Sequence, residues 1–175
     1  MELLIRPMQE TDWDAVASIY KEGIDTQIAT FQTEVPSYEA WDKAHMKDCR
    51  LVAEEKGEVI GWTALTPVSS RCVYAGVAEV SVYIKADNRG KQVGEKLLLD
   101  LIQASEQQGL WMLQSGIIEI NKASIALHTK AGFRIVGFRE RIAKDVNGVW
   151  QNTVLMERRS SVVGAENCKS GCCCS

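Results

Sequence analysis

A strand that runs through a short basic, glycine-containing loop straight into an amphipathic helix constrains this chain more than any other feature. The strand is Glu79-Val80-Ser81-Val82-Tyr83-Ile84. The loop and helix are Asp87-Asn88-Arg89-Gly90-Lys91-Gln92-Val93-Gly94-Glu95-Lys96-Leu97-Leu98. A helix start leaves backbone N–H groups without partners and carries a partial positive charge. Gly90 and Gly94 permit close backbone approach, and Arg89 and Lys91 add charge, so a phosphate group can sit there. The loop matches neither Gly-x-x-x-x-Gly-Lys-Ser/Thr nor Gly-x-Gly-x-x-Gly. Glu79 lies just upstream. A polyphosphate grip beside a carboxylate suggests group transfer from a nucleotide-linked donor; the competing reading is an ordinary strand-to-helix turn with surface charges.

Apolar spacing organises the rest. Residues 3–5 read as a strand ended by Arg6-Pro7. Thr11 or Asp12 caps a helix with Trp13, Val16, Ala17 and Tyr20 on one stripe. A loop holding Thr30-Phe31-Gln32-Thr33-Glu34 ends at Pro36, and Ser37 starts a second helix through Trp41. Residues 51–54 and 59–65 form a hairpin around Lys56-Gly57. A helix over 91–107 turns Val93, Leu97, Leu98, Leu101, Ile102 and Ala104 inward and stops at Gly109. Residues 112–118 form a strand, 121–130 a helix closed by Gly132, and 133–142 and 149–156 the last two strands, turning at Asn147-Gly148. The order β-α-α-β-β-β-α-β-α-β-β predicts an α/β (α+β) fold with a mixed, mostly antiparallel central sheet flanked by helices. One domain is expected over 1–159, followed by a flexible cysteine-rich tail over 160–175.

A chain of 175 residues suffices for one core. A net charge of −3 does not favour a nucleic-acid surface. No apolar run approaches the about 20 residues of a membrane span, and the N-terminus lacks a secretory layout, so no membrane partner and a cytoplasmic location are expected. Cys49 and Cys72 stand singly in the body, as small core residues or loop thiols. Cys168, Cys172, Cys173 and Cys174 crowd the end. The spacing suits soft ions such as copper(I) or trivalent arsenic better than structural zinc; the plainer reading is a set of incidental thiols.

The loop resembles the acetyl-coenzyme A loop of the GNAT N-acetyltransferases, Gln/Arg-x-x-Gly-x-Gly/Ala. Arg89 matches its first position and Gly94 its last, while Gln92 stands where the family usually has glycine. Asn121-Lys122-Ala123-Ser124-Ile125-Ala126-Leu127-His128-Thr129-Lys130-Ala131-Gly132-Phe133 is similar to the family's second signature. Within the family the likeness is to phosphinothricin N-acetyltransferases. It rests on Phe31-Gln32-Thr33-Glu34, on Arg71 and Tyr74 ahead of Glu79-x-Ser81-x-Tyr83, and on His128. Trp150-Gln151-Asn152 departs from the usual Trp-x-Asp.

The resemblance implies acetyl-CoA as cosubstrate with no metal, and transfer to the amine of a small amino-acid-like anion such as phosphinothricin. Methionine sulfoximine, arsinothricin, a polyamine or a protein N-terminus are alternative acceptors. A non-enzymatic coenzyme A or thiophilic-ion binder is the reading from another class. Glu79 is the expected base, by burial or a water relay, and His128 the expected acid; the bland alternatives are a surface ion pair and a structural histidine. Val82, Tyr83, Ile84, Arg89, Gly90, Lys91, Gln92, Val93, Gly94, Glu95, Asn121 and Ser124 are expected to hold the cosubstrate. Val82 and Ile84 would pair with pantetheine as an added strand. Asn121 is either a ligand or a helix cap. Phe31, Thr33, Arg71 and Tyr74 are expected around the acceptor, with Arg71 gripping its anion; Arg71 as a solvated loop charge and Phe31 as core remain open. A homodimer with the site near its interface is also implied.

Overall fold

Eleven regular elements follow one another in the computed structural model, which describes residues 3–165: β1 (Leu4–Pro7), α1 (Trp13–Asp25), α2 (Tyr38–Ala44), β2 (Leu51–Glu55), β3 (Glu58–Pro67), β4 (Val77–Ile84), α3 (Val93–Gln107), β5 (Met112–Ile118), α4 (Lys122–Lys130), β6 (Arg134–Lys144) and β7 (Trp150–Arg159). The order is the expected one. Short 3-10 turns at Glu10–Asp12, Cys72–Tyr74 and Ala86–Asn88 were not anticipated.

The strands form one sheet in the order β1-β2-β3-β4-β5-β7-β6. All neighbours are antiparallel except β4 and β5. Their parallel pairing needs a crossover, which α3 supplies. That pairing covers only Val77↔Met112, Ala78↔Leu113 and Glu79↔Gln114. On its other side β4 stays paired with β3 from Pro67↔Ala78 to Gly61↔Ile84, and β5 stays paired with β7 along its whole length. The sheet therefore splits after Glu79. The β5-facing edge of residues 80–84 is left without a strand partner.

Strand alternation sends side chains to two layers. Ala78, Val80, Val82 and Ile84 face α3 and pack with Leu65, Leu97, Leu98 and Leu101. Tyr83 faces α1 and α2 instead, with Val16, Ile19, Trp41 and Trp62, and Glu79 and Ser81 share its face. Trp13, Tyr20, Trp41, Trp62 and Tyr83 form a continuous run of ring contacts on that side. Ser37 caps α2, its hydroxyl accepting from the Ala40 N–H at 3.3 Å. Cys49 belongs to the core, where burial pushes its thiol up to about 11; Cys72 lies on the exposed 68–76 loop.

The domain boundary expected at Arg159 is not where the contacts stop. The Ser160 hydroxyl donates to Glu106 at 2.8 Å, and Arg159 donates to the carbonyls of Val163 and Gly164. The cysteines at 168 and 172–174, with the soft-ion reading attached to them, lie outside the described residues. Among the described residues no helix is long and apolar enough to cross a membrane.

Leu101 is 0% exposed at the centre of the α3–sheet layer. Leu101→Ala is expected to lower unfolding free energy by about 2–5 kcal/mol, read from urea denaturation.

Candidate active site

Two cavities open on either side of Val82 and Tyr83, where the sheet splits. The larger, about 610 Å³, lies between the free edge of β4, the start of α3 and the start of α4. Val82, Tyr83 and Ile84 of the strand, Arg89, Gly90 and Gln92 of the loop, Gly94 and Glu95 of α3, and Asn121 and Ser124 of α4 all line it. Lys91 and Val93 do not. Lys91 is exposed away from the wall, and the Val93 side chain is buried with Leu97 and Ile84. Val93 reaches the site only through its backbone. The first backbone bond of α3 runs from the Lys96 N–H to the Gln92 carbonyl, so the N–H groups of Val93, Gly94 and Glu95 have no carbonyl within the helix.

Local chemistry fixes that loop. The Arg89 Nε donates to the Ile84 carbonyl at 3.1 Å, and Glu22 of α1 accepts from the Ala86 N–H at 2.6 Å. Gln92 sits at φ +65°, in the left-handed region that costs a side-chain-bearing residue about 1 kcal/mol. The backbone thus keeps the shape a glycine would favour although the residue is glutamine. A Cβ on Gly94 would meet Leu127 at 3.1 Å, so a side chain there would crowd α3 against α4. The Asn121 Oδ1 accepts from the Ser124 N–H at 3.1 Å, which realises the capping role, and the residue still borders both cavities.

The second cavity, about 440 Å³, shares Ala29, Val82, Tyr83, Asn121 and Ser124 with the first. Glu79, Phe31 and His128 line it, so the structure gathers these three residues from separate parts of the sequence. Glu79 is exposed in the cavity wall and not buried. Its carboxylate accepts from the Gln114 Nε2 at 3.1 Å rather than from a lysine.

His128 is 1% exposed. Its Nδ1 lies 2.8 Å from the Ser124 carbonyl, so Nδ1 carries the hydrogen and Nε2, buried without a protein partner, is the bare nitrogen. Burial lowers its pKa. The lone pair of the ring is thus on Nε2.

Thr33, Arg71 and Tyr74 are not in the cavity wall. Arg71 is exposed on the 68–76 loop with its guanidinium over the Tyr74 ring at 5.5 Å, so its charge rests on an aromatic face instead of gripping an anion in the cavity. Three contributors were missed. Gln114 reaches Glu79 only through the parallel register, which no local pattern encodes. Tyr20 and His45 line the cavity, and His45 follows Trp41 by one helical turn, a spacing that would have flagged it.

A sheet parted beside a helix N-terminus, with two joined cavities, is the arrangement of a coenzyme A-dependent transferase. The family model described as Acetyltransferase (GNAT) family matches residues 13–133, and the chain belongs to that family. It is an acetyl-CoA-dependent N-acetyltransferase, with acetyl-CoA as cosubstrate. An L-methionine sulfoximine/L-methionine sulfone acetyltransferase of Pseudomonas paraeruginosa is 28% identical over 163 residues, covering 90% of this chain and 94% of that protein. A phosphinothricin N-acetyltransferase of Alcaligenes faecalis is 32% identical over 161 residues, covering 88% of this chain and 81% of that one. The crystal structure of a phosphinothricin acetyltransferase from Sinorhizobium meliloti in complex with acetyl-CoA superposes with a TM-score of 0.86 at 26% identity, covering 95% of this chain and 93% of that one.

Because Gln92 is left-handed, Gln92→Gly is expected to keep or raise the melting temperature and to tighten coenzyme A binding, read by thermal scans and calorimetry. His45 and His128 both have pKa values lowered from 6.5 by burial. Below about pH 6.5 the unfolded chain binds more protons than the folded one, so stability falls as pH drops from there through the folded values. Urea titrations stepped through that range check the sign, and His128→Asn should flatten the slope.

Proposed function

We propose that this enzyme, in the cytoplasm, acetylates the α-amine of a small amino-acid-like acceptor by direct transfer from acetyl-CoA. One observation carries the reading. Glu79 stands at the last paired position before the sheet splits, in the cavity that shares Val82, Tyr83, Asn121 and Ser124 with the donor cavity. An amine held near Glu79 is thereby next to whatever the donor cavity presents along β4.

The residues present fit acetyl-CoA. The unpaired backbone of residues 80–84 matches an extended, amide-rich arm, and the free N–H groups at the start of α3 match a pyrophosphate. When bound, acetyl-CoA supplies the activated acyl group. Glu79 receives the amine's proton, directly or through water, while the Gln114 amide holds one carboxylate oxygen in place. A backbone N–H of the free β4 edge faces the developing oxyanion, a contact of the kind worth on the order of 10²–10³ in rate. His128 shapes the wall of the acceptor cavity, with its Nδ1 tied to the Ser124 carbonyl. The relatives' names point to phosphinothricin and to methionine sulfoximine or sulfone as acceptor types.

A homodimer belongs to this reading. The outer strand β6 exposes Ile135, Val136, Phe138 and Ile142 at the sheet edge, an apolar surface that a second copy would cover.

Glu79→Gln is expected to cut kcat about 10²–10⁴-fold in a thiol-release assay while coenzyme A affinity is unchanged by calorimetry. Phe138, 65% exposed, can be changed to Asp without disturbing the core. Light scattering should then report a monomer where the parent chain is a dimer.

A further inference from the structure

We propose that His45 selects the acceptor. It offers Nε2 as a hydrogen-bond-accepting nitrogen to the acceptor cavity, so the preferred acceptor is an amino acid whose side chain carries an uncharged N–H donor rather than an anion. The inference rests on the amino-acid acceptor reading above and narrows it.

The ring is fixed on every side. His45 ends α2, and its backbone N–H donates to the Trp41 carbonyl at 3.1 Å. Its Nδ1 lies 2.7 Å from that same carbonyl, which has no hydrogen to give, so Nδ1 is the protonated nitrogen. The imidazole stacks on Trp41 with centroids 4.3 Å apart and 23° between planes, and stands edge-on to Trp62. Arg50 donates to the carbonyls of Asp42, His45 and Met46 and to the Asp42 carboxylate, and lies over Trp41 at 4.9 Å. Burial and this neighbouring cation lower the His45 pKa, so the imidazole stays neutral.

Nε2 is then a bare lone pair. Among the described residues, the buried side-chain polar atoms without a partner are Trp41 Nε1, Trp62 Nε1 and His128 Nε2. The His45 Nε2 is not among these buried atoms, the hydrogen bond of the ring is made by Nδ1, and His45 belongs to the wall of the acceptor cavity.

The remaining wall supports the same preference. Glu79 is its one charged side chain among the described residues; Tyr20, Thr30, Thr66 and Ser115 add neutral hydroxyls, and no Lys or Arg lines it. An anionic side chain placed there meets the Glu79 carboxylate and, on this proposal, the lone pair of His45. An N–H group meets acceptors. The α-carboxylate is common to all the acceptors compared below and drops out of the comparison.

The test compares methionine sulfoximine, methionine sulfone and phosphinothricin by thiol release, in the parent chain and in His45→Phe, which keeps the ring against Trp41. Sulfoximine and sulfone are nearly isosteric and both uncharged, but only the former has the N–H. The parent chain is expected to favour sulfoximine over sulfone, and over phosphinothricin, by about tenfold or more in kcat/KM. His45→Phe should bring sulfoximine down toward the sulfone level, chiefly through KM, and change sulfone by a smaller factor. His45→Gln, which restores a carbonyl acceptor, should recover part of the ratio. Calorimetric coenzyme A binding shows that each variant is folded. A sulfoximine-to-sulfone ratio that is the same with and without His45, or a parent chain that prefers phosphinothricin, overturns the role of His45 and leaves the amino-acid reading standing. Absence of thiol release with all three acceptors overturns both.

Discussion

The parting of β4 from β5 after three residue pairs is the constraint on which the site depends. β5 remains paired with β7 to its end, and β4 remains paired with β3 to its own, so neither strand can follow the other. Apart from the Ile84 carbonyl, which accepts from Arg89, the backbone groups on the β5-facing edge of residues 80–84 are left for a ligand or for water, since buried peptide groups are almost always paired. The same divergence opens the two cavities beside Val82 and Tyr83 and leaves Glu79 in the wall of the acceptor cavity.

Electrostatics then gives the two cavities different characters. The donor side has the free N–H groups of α3 with Arg89 nearby. The acceptor side has one exposed carboxylate and two neutral imidazoles, each with Nδ1 tied to a main-chain carbonyl four residues back on its own helix. Tying Nδ1 leaves the lone pair on Nε2 in both rings, in a buried position in His128. Burial keeps both uncharged, so the acceptor cavity is rich in lone pairs and poor in cations. An arginine on the neighbouring 68–76 loop does not change that balance while its guanidinium lies on Tyr74.

Much of the fold was legible because each element carried its own punctuation. β5 was read at its observed bounds, Ser37 and Asn121 were read as caps, and Gly109 and Gly132 closed their helices at positive φ. The 3-10 turns were missed because their residues have no period to read. Helix α3 was started at Lys91, two residues early, since its hydrophobic period says nothing of the left-handed Gln92 that sets the true start. In the site, the spacing did not show that Arg71 lies on Tyr74, that the Val93 side chain is buried with Leu97, or that the His128 Nδ1 is tied to the Ser124 carbonyl, because side-chain direction is set only when the elements pack.

The sequence by itself determined the element order, the alternating faces of β4, and the basic, glycine-containing turn into α3. Those are local properties, written in spacing, glycine placement and caps. Only the tertiary structure decided where the sheet splits, that Gln114 rather than a lysine holds Glu79, which nitrogen of each histidine is free, and that His45 shares a cavity with Glu79. These depend on strand register and on carbonyl orientation after folding, and no residue's identity encodes either one alone.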